Sequence, residues 1–363
     1  MKNKMIAIGA ASMLISVTAT AAQSQQAFQQ FPSGSLGPEG SQYVVPAQRA
    51  ESISVPSNLP KLTVTTPGGG VAHILPTAKG AAARARAAAP DTGPLLYHEG
   101  GVIMPRLNVY EIFWGPRHLQ TGDTTGFSSN YLSVQLLLGA FYSGHGIGNN
   151  NTQYFQVSDG ITTYIDNDGG LAGSYFDTSP YPASGCTDSL TPGNCLSDPQ
   201  IQAEILKVMQ LNGWTGGLDK IFLLFTSSGE GSCMDSSSTS CAYTEYCAYH
   251  SFIGGGATPI IYGNEPYGDP RFCQISGVPS PNNDADADTA ATAASHEVTE
   301  AITDPLLNAW FTAQGNEIGD LCAYNYGDNT WDSGAANQAW SGHFFELQTE
   351  FDNHVNACVQ LGP

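Results

Sequence analysis

Residues 282–304 constrain the fold more than any other stretch of the chain. They follow Pro281 with two asparagines in a turn, place Asp284, Asp286 and Asp288 early, run through a stretch rich in alanine and threonine, and end at Asp304 before Pro305. Early acids favour a helix dipole, alanines favour propagation, and a proline forces its predecessor out of helical geometry, so the pattern predicts one helix. The small side chains of residues 290–294 let such a helix pack closely inside a domain, carrying His296, Glu297 and Glu300 into the interior or a cleft. Buried carboxylates demand a partner. The chain has 12 Lys plus Arg against 32 Asp plus Glu, a net charge of −20. Seven of the 12 bases precede residue 91 but only Glu39 and Glu51 of the acids do, leaving five bases against 30 acids beyond it. A cation from solution is therefore the expected partner. The same balance excludes nucleic acid and an anionic membrane surface, which would repel such a chain.

His296 and Glu300 are four residues apart and project from one helix face, as two ligands of one ion must. Glu297 adjoins the first of them, where a carboxylate reaches a metal-activated water without ligating. This is the layout of HExxH with the second histidine replaced by glutamate. About twenty residues on, Asn316, Glu317, Ile318, Gly319 and Asp320 supply two more carboxylates. The pair of segments resembles the gluzincin metallopeptidases, in which a downstream glutamate completes the zinc site and an aspartate orients the first histidine. That resemblance implies Glu317 as third ligand and Asp320 as the orienting aspartate, with a spacing one residue shorter.

The first 22 residues, with Lys2 and Lys4 before an apolar run ending in small residues, read as a signal peptide. Residues 23–90 are rich in Gln, Ser, Pro and Ala without sustained periodicity, and read as a propeptide or linker with a processing-sensitive stretch at Arg84 and Arg86. No segment approaches the apolar length of a membrane span. The domain is expected over residues 91–363, with strands at 107–114, 221–225 and 259–262 and helices at 131–142 and 201–211, the second entered through Asp198 and Pro199. Eight cysteines, all beyond residue 185, point to disulfides in an exported protein, extracellular or periplasmic. Of 105 possible connectivities, Cys186 with Cys195 and Cys322 with Cys358 stand out; a Cys-ligated zinc lacks its CxxC pair. The class is mixed α/β (α+β): a single zincin-like catalytic domain with a central sheet and an active-site helix, disulfide-stabilised.

The runs HEVTEAITDPLLNAW (296–310) and NEIGDLC (316–322), with matches at 97–102, 112–115 and 247–251, resemble the phosphate-induced protein 1 (EXORDIUM-like) family. The resemblance implies export and a metal-like site more firmly than it implies a reaction. The expected function is metal-dependent hydrolysis of protein or peptide substrate by a secreted, monomeric endopeptidase. A divalent ion is held by His296, Glu300 and Glu317, and Glu297 is the general base. Zinc is the first choice and calcium is compatible. His250 and Tyr326 are candidate cleft residues. Two other readings stand beside it. One is a non-catalytic, wall-associated binding protein with a structural metal. The other is an aspartic peptidase built on the DTG at 91–93 and the DSG at 332–334. The GxSxG elbow of a serine hydrolase is absent.

Overall fold

The computed structural model describes residues 62–66, 70–87, 91–183, 185–236, 240–327 and 336–362. The expected signal peptide lies outside these residues, as does the DSG triplet. A seven-stranded mixed sheet forms the centre. Its strands in chain order are β1 (Thr63–Thr65), β2 (Val71–Pro76), β3 (Leu107–Trp114), β4 (Gly169–Asp177), β5 (Lys220–Thr226), β6 (Tyr246–Ile253) and β7 (Ile260–Glu265), and their spatial order is β1-β2-β6-β7-β5-β3-β4. From β7 to β4 neighbours run parallel; β6, β2 and β1 each pair antiparallel with the strand before them.

Apolar runs such as that of β5 have no polar alternation because both faces of the sheet are covered. Val109, Phe113, Ile221, Leu223, Phe225 and Ile261 face one core. Ile112, Trp114, Phe222, Leu224 and Tyr262 face the other. Helix α1 (Ala78–Ala87) follows β2 directly. On the first face lie α2 (Ser129–Phe141) and α4 (Ala285–Thr303), which pack against each other. On the second lies α3 (Asp198–Asn212), burying Ile201, Ile205 and Val208. The sequence places Asp198 at the cap of α3, whereas Ser197 takes that position and its N–H donates to Gln200 Oε1 at 3.0 Å. Asp198 is occupied elsewhere, accepting from Tyr249 at 2.9 Å and Tyr262 at 2.7 Å.

Helix α4 is buried from Ala287 to Thr303. Asp284 caps it by accepting from Ala287 N at 3.1 Å. Thr299 and Thr303 donate to carbonyls of the helix itself, Thr299 to that of Ser295 at 2.7 Å, and Thr292 donates to the Glu346 carbonyl at 2.6 Å, so these polar side chains are compatible with burial.

All four disulfides are formed: Cys186–Cys195, Cys233–Cys241, Cys247–Cys273 and Cys322–Cys358. No free cysteine remains, so the clustered Cys186, Cys195 and Cys233 offer no thiolate ligands. No helix among the described residues is long and apolar enough to cross a membrane.

Residues 71–76 fall in the stretch that reads as propeptide or linker, and they form β2, which is paired with β6 from Ala72 to Pro76 and has five of its six residues buried. Chain that reads as a tether is part of the central sheet.

Candidate metal centre

The register of the sheet builds half of the site. Glu111 of β3 pairs with Leu223, Leu223 with Gly263, Gly263 with His250, and His250 with His73 of β2. Residues in register share a face, so His73 and His250 point toward α4, with ring centroids 5.8 Å apart. Gly263 keeps this row open, since a Cβ there would meet Glu265 Oε1 at 2.8 Å. Helix α4 supplies the other half. His296, Glu297 and Glu300 are each wholly buried, and His296 Nε2 lies 3.1 Å from Glu300 Oε1.

The segment after α4 closes the group from the side. Glu317 places Oε1 at 3.1 Å from His73 Nδ1 and Oε2 at 3.5 Å from His250 Nε2. Glu300 Oε2 lies 3.7 Å from His250 Nε2 and 4.0 Å from His73 Nε2. Asp320 Oδ2 is 2.7 Å from His73 Nε2 and also accepts the Glu317 N–H at 2.8 Å, while its own N–H donates to Glu300 Oε1 at 3.1 Å. Four of the five bases beyond residue 91 pair with acids elsewhere, Arg106 with Asp168, Lys207 with Asp177, Lys220 with Asp219 and Arg271 with Asp269.

Arg84 of α1 acts on Asp320 from the flank, and the rest of the neutralisation falls to the imidazoles. Burial pulls His73 down, but Asp320 and Glu300 outweigh it and hold its pKa above the usual value; Asp320 stays below the carboxylate range against its own burial because His73 faces it. Burial first, then neighbouring imidazoles, pushes His250 well below the ordinary histidine value, and burial likewise lowers His296. Burial followed by mutual repulsion drives Glu297, Glu300 and Glu317 far above theirs.

The C-terminal strands add a feature absent from the sequence reading. Gln348 lies just before β8 (Glu350–Asp352), which pairs with β9 (Ala357–Val359). Its Nε2 sits 2.8 Å from His296 Nδ1 and donates to the Gly319 carbonyl at 3.2 Å. With the amide NH2 turned that way, the neutral imidazole of His296 carries its proton on Nε2, toward Glu300. The Cys322–Cys358 disulfide ties this hairpin to the Glu317 segment.

The structure thus brings together His296, Glu297, Glu300, Glu317, Asp320 and His250, and adds His73. Tyr326 is not among them: its hydroxyl bonds Gln274. Tyr324 comes nearer, donating to the Pro76 carbonyl at 2.7 Å. Asp91 of the DTG triplet accepts from Thr312 and Asn316 and so braces the Glu317 segment. His73 lies in the region that reads as linker; its only local signal is the short apolar run of β2 between the triple glycine and Pro76.

A divalent cation fits what the residues leave open. Both nitrogens of His250, and Oε2 of Glu297, Glu300 and Glu317, are buried without a hydrogen-bond partner, as is Oδ1 of Asp320. Ligand atoms of His250, Glu297 and Glu300 lie within 4.8 Å of one another, and so do those of His73, Glu300 and Asp320. Imidazole with several carboxylates suits zinc, manganese, iron or calcium. No family model, curated protein or solved structure matches this chain. Its chemistry has to be argued from the geometry alone.

Proposed function

We propose that the protein is a secreted metal-dependent hydrolase of peptide bonds, with Glu297 as general base. The observation that carries this reading is the environment of Glu297. One oxygen accepts the backbone N–H of Leu75 at 3.2 Å, so the main chain of an extended polypeptide already lies against it. The other oxygen is buried, unpartnered and beside the group formed by His250 and Glu300. His250, Glu300 and Glu317 would hold the cation, His250 in the place that the sequence gives to His296, whose Nε2 proton is turned toward Glu300; Asp320 adjoins, and zinc is the first choice. A bound divalent ion supplies Lewis-acid polarisation to the carbonyl under attack and to the attacking water. Glu297 takes the proton from that water and returns it to the leaving amine. Asp320 and Gln348 fix the positions of the groups around it.

The resemblance to the EXORDIUM-like family supports export and adds no reaction. A second reading, a structural metal in a binding protein, is favoured by one specific fact: none of these side chains exceeds 2% exposure. Glu297→Gln separates the two. The variant should keep its bound metal by elemental analysis while hydrolysis of a casein-type substrate falls by a factor on the order of 10²–10⁴. Undiminished hydrolysis in the variant would remove Glu297 as the base, and no chelator-sensitive hydrolysis in any form of the protein would leave the structural reading.

A further inference from the structure

The same burial raises the matter of access, and the element that shuts the site off is β2. On its inner side β2 runs antiparallel to β6 from Ala72 to Pro76, with one irregularity between Leu75 and Pro76. On its outer side the three-residue β1 covers Val71–His73, and one further bond joins Ile74 N to the Leu62 carbonyl. An extended peptide adds to a sheet edge in this way, main chain to main chain. Three contacts fasten β2 to the chemical groups of the site and not merely to the sheet. Leu75 N–H donates to Glu297 Oε1 at 3.2 Å. His73 Nε2 lies 2.7 Å from Asp320 Oδ2, and its Nδ1 lies 3.1 Å from Glu317 Oε1.

Behind β2, α1 shields the flank. Arg84 donates to Asn316 Oδ1 at 2.8 Å. A cavity of about 480 Å³ lies between α1 and the Glu317 segment, lined by Ala78, Arg84, Asn316, Asp320 and Tyr324 among others. Among the metal-centre residues only Asp320 reaches its wall. The attachment of this flank is weak in two respects. No disulfide anchors residues 62–87, since the first cysteine is Cys186. Helix α1 has ten residues, no acid in its first turn, and Ala82, Ala83, Ala85 and Arg86 exposed, and a helix of that length is marginal without packing.

We infer that residues 62–87 are a built-in, removable occupant of the substrate groove. In this arrangement β2 takes the place of an extended polypeptide along β6, with His73 standing on the metal-holding carboxylates and the Leu75 amide on the general base, and cleavage in α1 frees the segment to leave. The inference rests on the hydrolase reading and sharpens it, because it names the substrate class: an unfolded or extended chain bound by strand pairing to β6. The freeing step is an ordinary hydrolysis by a separate arginine-specific endopeptidase. Water adds across the peptide bond after Arg84 or Arg86, leaving a carboxylate on the arginine and an amine on the following alanine. No other reactant is consumed.

The test uses the full chain, treated with limiting trypsin. Mass analysis should find the cut after Arg84 or Arg86, and gel filtration should separate the freed segment. Hydrolysis of a casein-type substrate should then rise at least tenfold. A labelled synthetic peptide of residues 62–78 should rebind the cleaved protein saturably at one per chain by fluorescence anisotropy, and the same peptide with His73→Ala at least tenfold more weakly. In the uncleaved chain, His73→Ala should speed hydrogen exchange of the β2 and β6 amides at least tenfold, a readout independent of whether the cleaved form stays folded. The inference is overturned if the intact chain hydrolyses as fast as the cleaved one, or if His73→Ala abolishes hydrolysis by the intact chain, since His73 would then be a permanent member of the site. If the peptide rebinds through His73 but neither form hydrolyses anything, the occupancy stands and the catalytic reading falls.

Discussion

Gly319→Ala is the substitution whose effect can be worked most directly from the structure. Gly319 has φ −77° and ψ −35°, a conformation open to any residue, so alanine adds no backbone strain and the whole effect is contact. An added Cβ would stand 2.5 Å from His296 Nδ1, 2.8 Å from His296 Cε1 and 3.0 Å from Glu300 Oε1. Ordinary contact distance begins at about 3.5 Å, so the imidazole has to retreat by roughly 1 Å. It has nowhere to go. Its Nδ1 is held by Gln348 at 2.8 Å, its Nε2 faces Glu300 at 3.1 Å, and the residue is wholly buried. Overpacking of this kind costs about 1–3 kcal/mol, equivalent to roughly 2–6 °C in Tm for a domain of this size. A displacement of that order in a group packed against the metal-holding carboxylates costs on the order of 10²-fold in rate. Calorimetry, elemental analysis and a casein-type assay on one preparation read all three effects. Gly255→Ala is the control: nothing lies within 4 Å of its Cβ position and its φ is not in the left-handed region, so it should be neutral or stabilising by up to about 1 kcal/mol. Should Gly319→Ala melt within about 1 °C of the parent and keep its metal and rate, the close approach of this backbone is not what fixes the site.

Burial pushes Glu111 up to about 8, against roughly 4.3 in the unfolded chain. The folded state therefore keeps a proton that the unfolded state releases, and the stability linked to this group is full below the unfolded pKa and lost as pH rises through about 8. Glu111→Gln should accordingly gain on the parent by up to about 1.4 kcal/mol per pH unit across that window, read as Tm at pH 5, 7 and 9; parallel profiles would contradict it. Replacing Cys322 and Cys358 by serine opens a loop with a sequence separation of 36 and should cost about 4 kcal/mol, with loss of bound metal because Gln348 and the Glu317 segment come apart. The same change at Cys186 and Cys195, separation 9, should cost about 2.6 kcal/mol and spare the metal. A chelator should lower Tm and added zinc restore it; an unchanged melt would leave the centre without a tightly bound ion.

How much of this was legible depends on whether the signal was local. The interior helix was readable because its acid start, its alanines and Pro305 all lie within one stretch, and the spacing of His296 and Glu300 follows from helical period alone. The convergence of Glu317 and Asp320 was readable from a short motif. His73 was not, because its partner in the sheet, His250, is 177 positions away, and strand pairing across such a distance leaves no trace in either segment. The low-complexity flanks around β2 further conceal six residues of ordinary strand. Tyr326 was singled out by its nearness in sequence to the Glu317 motif, but Tyr324, with φ +60°, turns the chain so that the two rings part, one toward Pro76 and the other toward Gln274.

The shortage of basic residues, by contrast, says something that no single motif does. With four of the five late bases committed to partners elsewhere, Glu297, Glu300, Glu317 and Asp320 are neutralised by protons, by imidazolium, by an ion or, for Asp320, by the Arg84 guanidinium across the cavity they share. The described form uses the first two, with His73 from β2 supplying the imidazolium. If β2 leaves, that positive charge leaves with it, and the four carboxylates face His250 and His296, both driven toward neutrality. Departure of the strand and tighter binding of a divalent cation are then two sides of one charge balance. Metal affinity should rise, not fall, when the segment containing His73 is cut away, and a titration of zinc into intact and cleaved protein that ranks them the other way would show His73 to be a ligand instead of a stand-in.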